Sequence, residues 1–144
     1  MQNTPKLPSH SLTFTKKERL KSQKLLSSLF GGGISFASHP VRFIWREADL
    51  PEGSEPVQVA FSVPKKNFKK AVDRHRVKRL LSEIWRHHKH KAYEGLSKQS
   101  SSLALVILYQ GKEELSYAEL DERIAFLIRR MLKKNSEKDQ PKIG

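Results

Sequence analysis

The apolar residues of this chain change period several times, and each change marks an element. In "FTKKERLKSQKLLSSLF", Leu20, Leu25, Leu26, Leu29 and Phe30 form a stripe at helical spacing. Thr15 with Glu18 three residues on is a capping box, and Gly31 to Gly33 supply a stop, so the pattern predicts a first helix between them. The period then falls to two. "VRFIWRE" puts Val41, Phe43 and Trp45 on one face and Arg42, Ile44 and Arg46 on the other, a strand with one half-wet face. A shorter strand in "ISFAS" precedes it, and the turn-rich "EADLPEGSEP" follows. "VQVAFSV" alternates again, with Val57, Val59, Phe61 and Val63 inward and Gln58, Ala60 and Ser62 outward. Small outward residues such as Ala60 and Ser62 let something bulky approach the sheet.

Helical spacing returns in "AVDRHRVKRLLSEIWRHHKH", entered through "PKKNFKK". "LALVILY", residues 103–109, is an uninterrupted apolar run and reads as a central strand buried on both faces. Ser116 with Glu119 makes a second capping box, with Leu115 and Leu120 placed as a hydrophobic staple. Leu120, Ile124, Leu127, Ile128 and Met131 then repeat at helical spacing. The order is helix, strands, helix, strand, helix. It predicts an α+β sandwich of two layers, one sheet of about four strands with helices packed on it. Residues 1–13, with Pro5 and Pro8, read as a flexible N-terminal arm, residues 14–134 as the folded domain, and residues 135–144 as a disordered polar tail.

Charge narrows the partner. Among 144 residues, 28 Lys and Arg face 15 Asp and Glu, a formal net charge of +13. Such an excess calls for a polyanion, either nucleic acid or an acidic membrane face. There is no cysteine, so disulfides and thiolate metal sites are excluded. No apolar run approaches the ~20 residues that span a bilayer, and "MQNTPKLPSHSLTF" lacks the apolar segment of a secretory signal. The expected location is the cytoplasm, with no membrane partner and no small-molecule substrate.

The basic helix concentrates this charge. Wound at about 3.6 residues per turn, residues 74–88 place Val77, Leu80, Leu81, Ile84 and His88 on one face. Arg74, Lys78 and Trp85 line one flank, with Ser82 further round; Arg76, Glu83 and His87 line the other; His75, Arg79 and Arg86 point outward. A helix built for solubility alone mixes signs at i and i+4. Here only Asp73 and Glu83 dilute the cations, so two flanks can meet two polyanions. Lys65, Lys66, Asn67, Lys69 and Lys70 in the lead-in extend the patch beside free backbone N–H groups that also favour phosphate. Phe14, Phe30, Phe36, Phe43 and Trp45 are candidate platforms for bases. Phe30 and Phe43 fit the core better, and Phe14, Phe36 and Trp45 fit either place.

The stretch "FSVPKKNFKKAVDRHRVKRLLSEIWR" resembles the protein component of bacterial ribonuclease P. The resemblance is carried by a strand ending in Lys65-Lys66, then Ala71, Arg74, Arg76, Lys78 and Arg79 on the helix, and by the Arg19-Leu20 start of the first helix. It extends over roughly residues 14–133. His75 stands where that family typically carries Asn, Ser82 where some members carry Arg, and Leu26 at a position often aromatic. The resemblance implies the order αβββαβα with a left-handed βαβ crossover; physical preference alone favours the right-handed one. It also implies a partner, a catalytic RNA that cuts precursor tRNA to release its 5′ leader using bound Mg²⁺, with no catalytic residue and no metal ligand in the protein. The leader would lie in a cleft between the sheet and the first and basic helices. Its candidate contacts are Phe14, Phe36, Trp45, Ala60, Ser62, Lys78 and Ser82, with Arg74 on the same flank. His75, Arg76, Arg79 and Arg86 would face the catalytic RNA.

Three other readings compete. A stand-alone two-metal nuclease needs clustered carboxylates, whereas Asp49, Asp73, Asp121 and Asp139 are scattered. His87 and His90, spaced i, i+3, have metal-ligand spacing but sit on a basic helix end. A general RNA-binding module of ribosomal type fits the composition and differs only in the motif. A membrane-surface helix requires an uncovered bulky apolar face, and here strands are available to cover it.

Overall fold

A computed structural model describes residues 15–51 and 53–137 of the chain. The Thr15–Glu18 capping box is formed, but it closes a single 3₁₀ turn, Lys16–Glu18, and does not open a helix. Arg19 is extended and forms a parallel bridge with Val59, while the Leu20 N–H donates to the Val59 carbonyl at 3.0 Å. The first helix, α1, runs Gln23–Gly32. Its N-cap is Ser22, whose hydroxyl accepts from the Leu25 N–H at 3.2 Å. The expected helix start is therefore displaced. Glu18 turns inward to a buried partner, and that contact outweighs helix propensity over residues 15–21.

Four strands make one sheet: β1 (Ile34–Ser38), β2 (Val41–Glu47), β3 (Val57–Ser62) and β4 (Leu103–Tyr109), in the order β1-β2-β4-β3. β2 is antiparallel to β1 and β4, and β3 is parallel to β4. The apolar run 103–109 is thus an interior strand, and β3 lies on an edge. The parallel crossover is made by α2 (Ala71–Lys98), and α3 (Tyr117–Glu137) completes the chain. The expected order αβββαβα is the one found. α3 continues past the expected boundary at 134: Asn135 is buried and donates to Gln99 Oε1 at 2.6 Å and to the Ser101 hydroxyl at 3.1 Å.

The pleat sorts the core. Val41, Phe43, Trp45, Val57, Val59, Leu103, Leu105 and Ile107 project to one face, under α2 and α3. Each such burial removes apolar surface from water and favours folding by about 1.5–3 kcal/mol. α2 and α3 approach closely at Gly95, where a Cβ would stand 2.9 Å from the Leu132 methyls. The other face is drier than its alternation predicts. α1 covers its centre, burying Leu29 with Leu20, Ile44, Ala104 and Val106.

Three aromatic expectations are corrected here. Trp85 lies in the core and not on the Arg74–Lys78 flank, because α2 packs against both the sheet and α3 and its apolar arc is correspondingly wide. Trp45 is fully buried and cannot stack on a base. Phe30 leaves the core and is 57% exposed near the end of α1, where Leu29 takes the inward position. Among the described residues, no helix is long and apolar enough to cross a membrane.

Candidate nucleic-acid interface

The lead-in to α2 is a turn closed by the Asn67 N–H donating to the Pro64 carbonyl at 3.1 Å. Arg74 reaches back from the helix and donates to the carbonyls of Phe68 and Lys69 at 2.9 and 3.0 Å. It braces the loop that presents Lys65, Lys66, Lys69 and Lys70 to solvent. Lys66 and Asn67 also border a concavity of about 450 Å³ with Pro64, Leu108, Gln110 and Lys112.

Along α2 the cations separate into two groups. Arg76 is held by Asp73 at 2.7 Å and Glu114 at 2.8 Å, and the bond to Glu114 raises its pKa further. Arg86 pairs with Glu83, whose carboxyl is lowered by that bond, and His87 lies 3.4 Å from the same carboxylate. His88, expected on the buried face, is half-buried and bonded to Asp121 of α3 at 2.6 Å. His75, Lys78 and Arg79 are exposed, and among the described residues none of them has a hydrogen-bond or ion-pair partner.

Those three, with Ser82, form one wall of a cleft of about 470 Å³. Val59, Ala60 and Phe61 of the edge strand β3 form its floor, and Arg19, Leu20 and Lys21 form the opposite wall. The cleft brings together Ala60 of the strand with Lys78 and Ser82 of the helix, but not Arg74, which was expected beside Lys78 and instead turns back to the lead-in loop. It also takes in His75 and Arg79, which were expected to face away from it. Ser62 lies outside it, level with Leu108 in the sheet. Phe36 is on β1, the far edge, three strand spacings or about 14 Å away, beneath the Arg130 guanidinium at 4.4 Å. Phe36 and the buried Trp45 therefore do not belong to this cleft, and Phe14 lies outside the described residues. Lys21 and Phe61 were missed, because nothing in local periodicity shows that residues 19–20 pair with Val59.

Beneath the cleft wall Glu18 and Lys89 are buried together, 2% and 1% exposed, with Nζ 2.8 Å from Oε2. The Tyr93 hydroxyl donates to the same oxygen. Burial pushes the Glu18 carboxyl up, but hydrogen bonds from Lys89, Tyr93 and Thr15 bring it below the ordinary carboxylate value. Burial and the adjacent carboxylate raise Tyr93, which stays protonated. No group of three or more His, Asp or Glu among the described residues has the arrangement of a metal site.

The sequence and fold match known proteins. A family model described as Ribonuclease P matches residues 14–135. A ribonuclease P protein component from Chlorobium phaeobacteroides is 33% identical over 109 residues, 71% of this chain and 75% of the relative. One from Porphyromonas gingivalis strain W83 is 41% identical over 81 residues, 53% of this chain and 55% of the relative. The solved RNase P protein from Thermotoga maritima superposes with a TM-score of 0.60 at 21% identity, over 78% of this chain and 96% of that one. The Staphylococcus aureus RNase P protein superposes at 0.61 and 16% identity, over 79% and 94%.

Proposed function

The chain belongs to the ribonuclease P protein family and is a ribonuclease P subunit that works with the RNase P RNA; on that premise we propose that it seats the 5′ leader of precursor tRNA in the cleft between Arg19–Lys21 and α2. The observation that carries this reading is the sorting of cations along α2. Arg76 and Arg86 already bond carboxylates, whereas His75, Lys78 and Arg79 face the cleft without partners among the described residues. These three side chains are exposed and keep their hydrogen-bond donors open, and cations set along a cleft bind a phosphate backbone by releasing its condensed counterions. The small side chain of Ala60 lets a single strand approach the floor. Lys65, Lys66, Asn67, Lys69 and Lys70, with the outer surface of α2, then meet the RNA subunit on the far side of the helix.

Hydrolysis is assigned to the RNA subunit with its Mg²⁺. Five carboxylates on or packed against α2, Glu18, Asp73, Glu83, Glu114 and Asp121, are each bonded to Lys89, Arg or His side chains and so are not open to complete the oxygen octahedron that Mg²⁺ selects. The site of action belongs to the same proposal, the cytoplasm.

Reconstitution with a bacterial ribonuclease P RNA tests it. The protein alone should leave precursor tRNA intact and should raise leader removal when the RNA is present; cleavage by the protein alone would overturn the assignment. Lys78→Ala should weaken precursor binding by about tenfold, the worth of one charge-assisted contact, and leave mature tRNA nearly unaffected. Equal losses for both would make this a general RNA-binding face.

A further inference from the structure

Glu18 and Lys89 are 71 residues apart in sequence and do not line the cleft. A buried ion pair is weak evidence for stability, since apolar residues of like volume often pack as well. The geometry of this one says more. Glu18 Oε1 accepts from the Thr15 N–H at 2.8 Å, the Thr15 hydroxyl at 3.1 Å and Lys89 Nζ at 3.0 Å. Oε2 accepts from Lys89 Nζ at 2.8 Å and from the Tyr93 hydroxyl. A single carboxylate therefore closes the 3₁₀ turn and fastens it to α2.

The next three residues, Arg19, Leu20 and Lys21, are the cleft wall that faces His75, Lys78 and Arg79. This stretch is also tied to the sheet by the burial of Leu20 beside Ile44, Ala104 and Val106, by the Leu20–Val59 bond and by Gln58 Nε2 donating to the Lys17 carbonyl at 3.3 Å. Lys89 stands two turns beyond Ser82, about 10 Å along the same helix. Both walls are thus referred to one rigid element: one wall is α2, and the other is held to α2 by Glu18. Directional hydrogen bonds fix an angle and a distance, where an apolar contact would let the wall slide.

We propose that Glu18 and Lys89 are positioning residues that set the width of the cleft, so that preference for precursor over mature tRNA depends on a pair the RNA does not touch. This rests on the cleft being the seat of the leader. The test uses the full chain reconstituted with ribonuclease P RNA, carrying Glu18→Ala or Glu18→Ala with Lys89→Met. The single variant strands a buried ammonium; the double variant removes both charges and keeps the volume of the Lys stem, so it is the one to read if the first fails to fold. Three quantities are measured: dissociation constants for precursor and mature tRNA, KM and kcat for leader removal, and hydrogen exchange at the Leu20 amide. The double variant should bind mature tRNA as the parent does and lose about tenfold of its preference for precursor, the worth of one charge-assisted contact. KM should rise with kcat unchanged, and Leu20 should exchange faster while β4 amides stay protected. A general loss of packing would not spare β4 or mature tRNA. Lys78→Ala, measured alongside, separates the two ideas. If it leaves the preference untouched, the leader lies elsewhere and the reading of the cleft falls. If it lowers the preference while the double variant keeps it in full, the positioning role is overturned.

Discussion

Replacing Lys89 by Met removes the ammonium from the Glu18 carboxylate while keeping most of the buried volume. Glu18 is 2% exposed, so water cannot take over the lost charge. Breaking a buried pair from one side leaves an uncompensated ion and costs about 3–5 kcal/mol. For a domain of this size that is a large part of total stability and lowers Tm by roughly 10–20 °C. The pH dependence should also change sign. In the parent, the folded carboxyl titrates below its ordinary value. Its contribution is therefore present above the unfolded pKa of about 4.3 and is lost as pH falls through the lower folded value. Without Lys89 the largest remaining influence is burial, which raises the folded pKa. The folded state then holds a proton the unfolded state has released, and stability falls as pH rises from about 4.3 through the raised value. Urea unfolding from pH 4.5 to 8 would show the slope of stability against pH turn from flat or rising to falling. A loss below ~1 kcal/mol with an unchanged slope would refute the reasoning, because it would mean that the carboxylate reaches solvent.

Other consequences are open to direct measurement. Arg79→Ala should flatten the log–log dependence of leader affinity on salt by about 0.7, read by binding titrations at several ionic strengths; an unchanged slope would take Arg79 out of the interface. Arg76→Ala should alter RNA affinity far less than Arg79→Ala in the same titrations, since Asp73 and Glu114 already neutralise it. Phe43→Ala should cost about 3–5 kcal/mol and Phe30→Ala within about 0.5 kcal/mol in denaturant unfolding, the difference between a buried and a solvent-facing ring. Both tryptophans, Trp45 and Trp85, are buried, so RNA binding should leave their emission unquenched; strong static quenching would show a base stacked on one of them.

Much of the fold was legible wherever one residue's neighbours settle its environment. The alternation of Val41, Phe43 and Trp45, the unbroken run 103–109, and the stripe from Leu120 to Met131 each met the face their period assigned. What local pattern could not show depends on contacts across the chain. The Thr15–Glu18 box was read correctly as a cap but assigned to the wrong element, because Lys89 lies far along the sequence and draws Glu18 inward. A wheel drawn over residues 74–88 placed Trp85 on a flank; it could not anticipate that α2 reaches Lys98 and packs on α3 as well as the sheet. The wheel also could not show that Arg76 is held by Glu114, which sits beyond β4 in sequence and is brought near only by folding. Basic helix and small-residue strand were legible as the cleft's two principal surfaces. Its third surface, Arg19–Lys21, follows only from tertiary pairing with Val59.

The short bridge between Arg19 and Val59 has a further consequence for the chain on its own. β3 is a border strand, and an open border invites strand addition by another copy. The latch at Val59 occupies part of that border. Loosening it would therefore expose an adhesive seam, and the earliest symptom of a damaged latch in dilute solution would be self-association that grows with protein concentration.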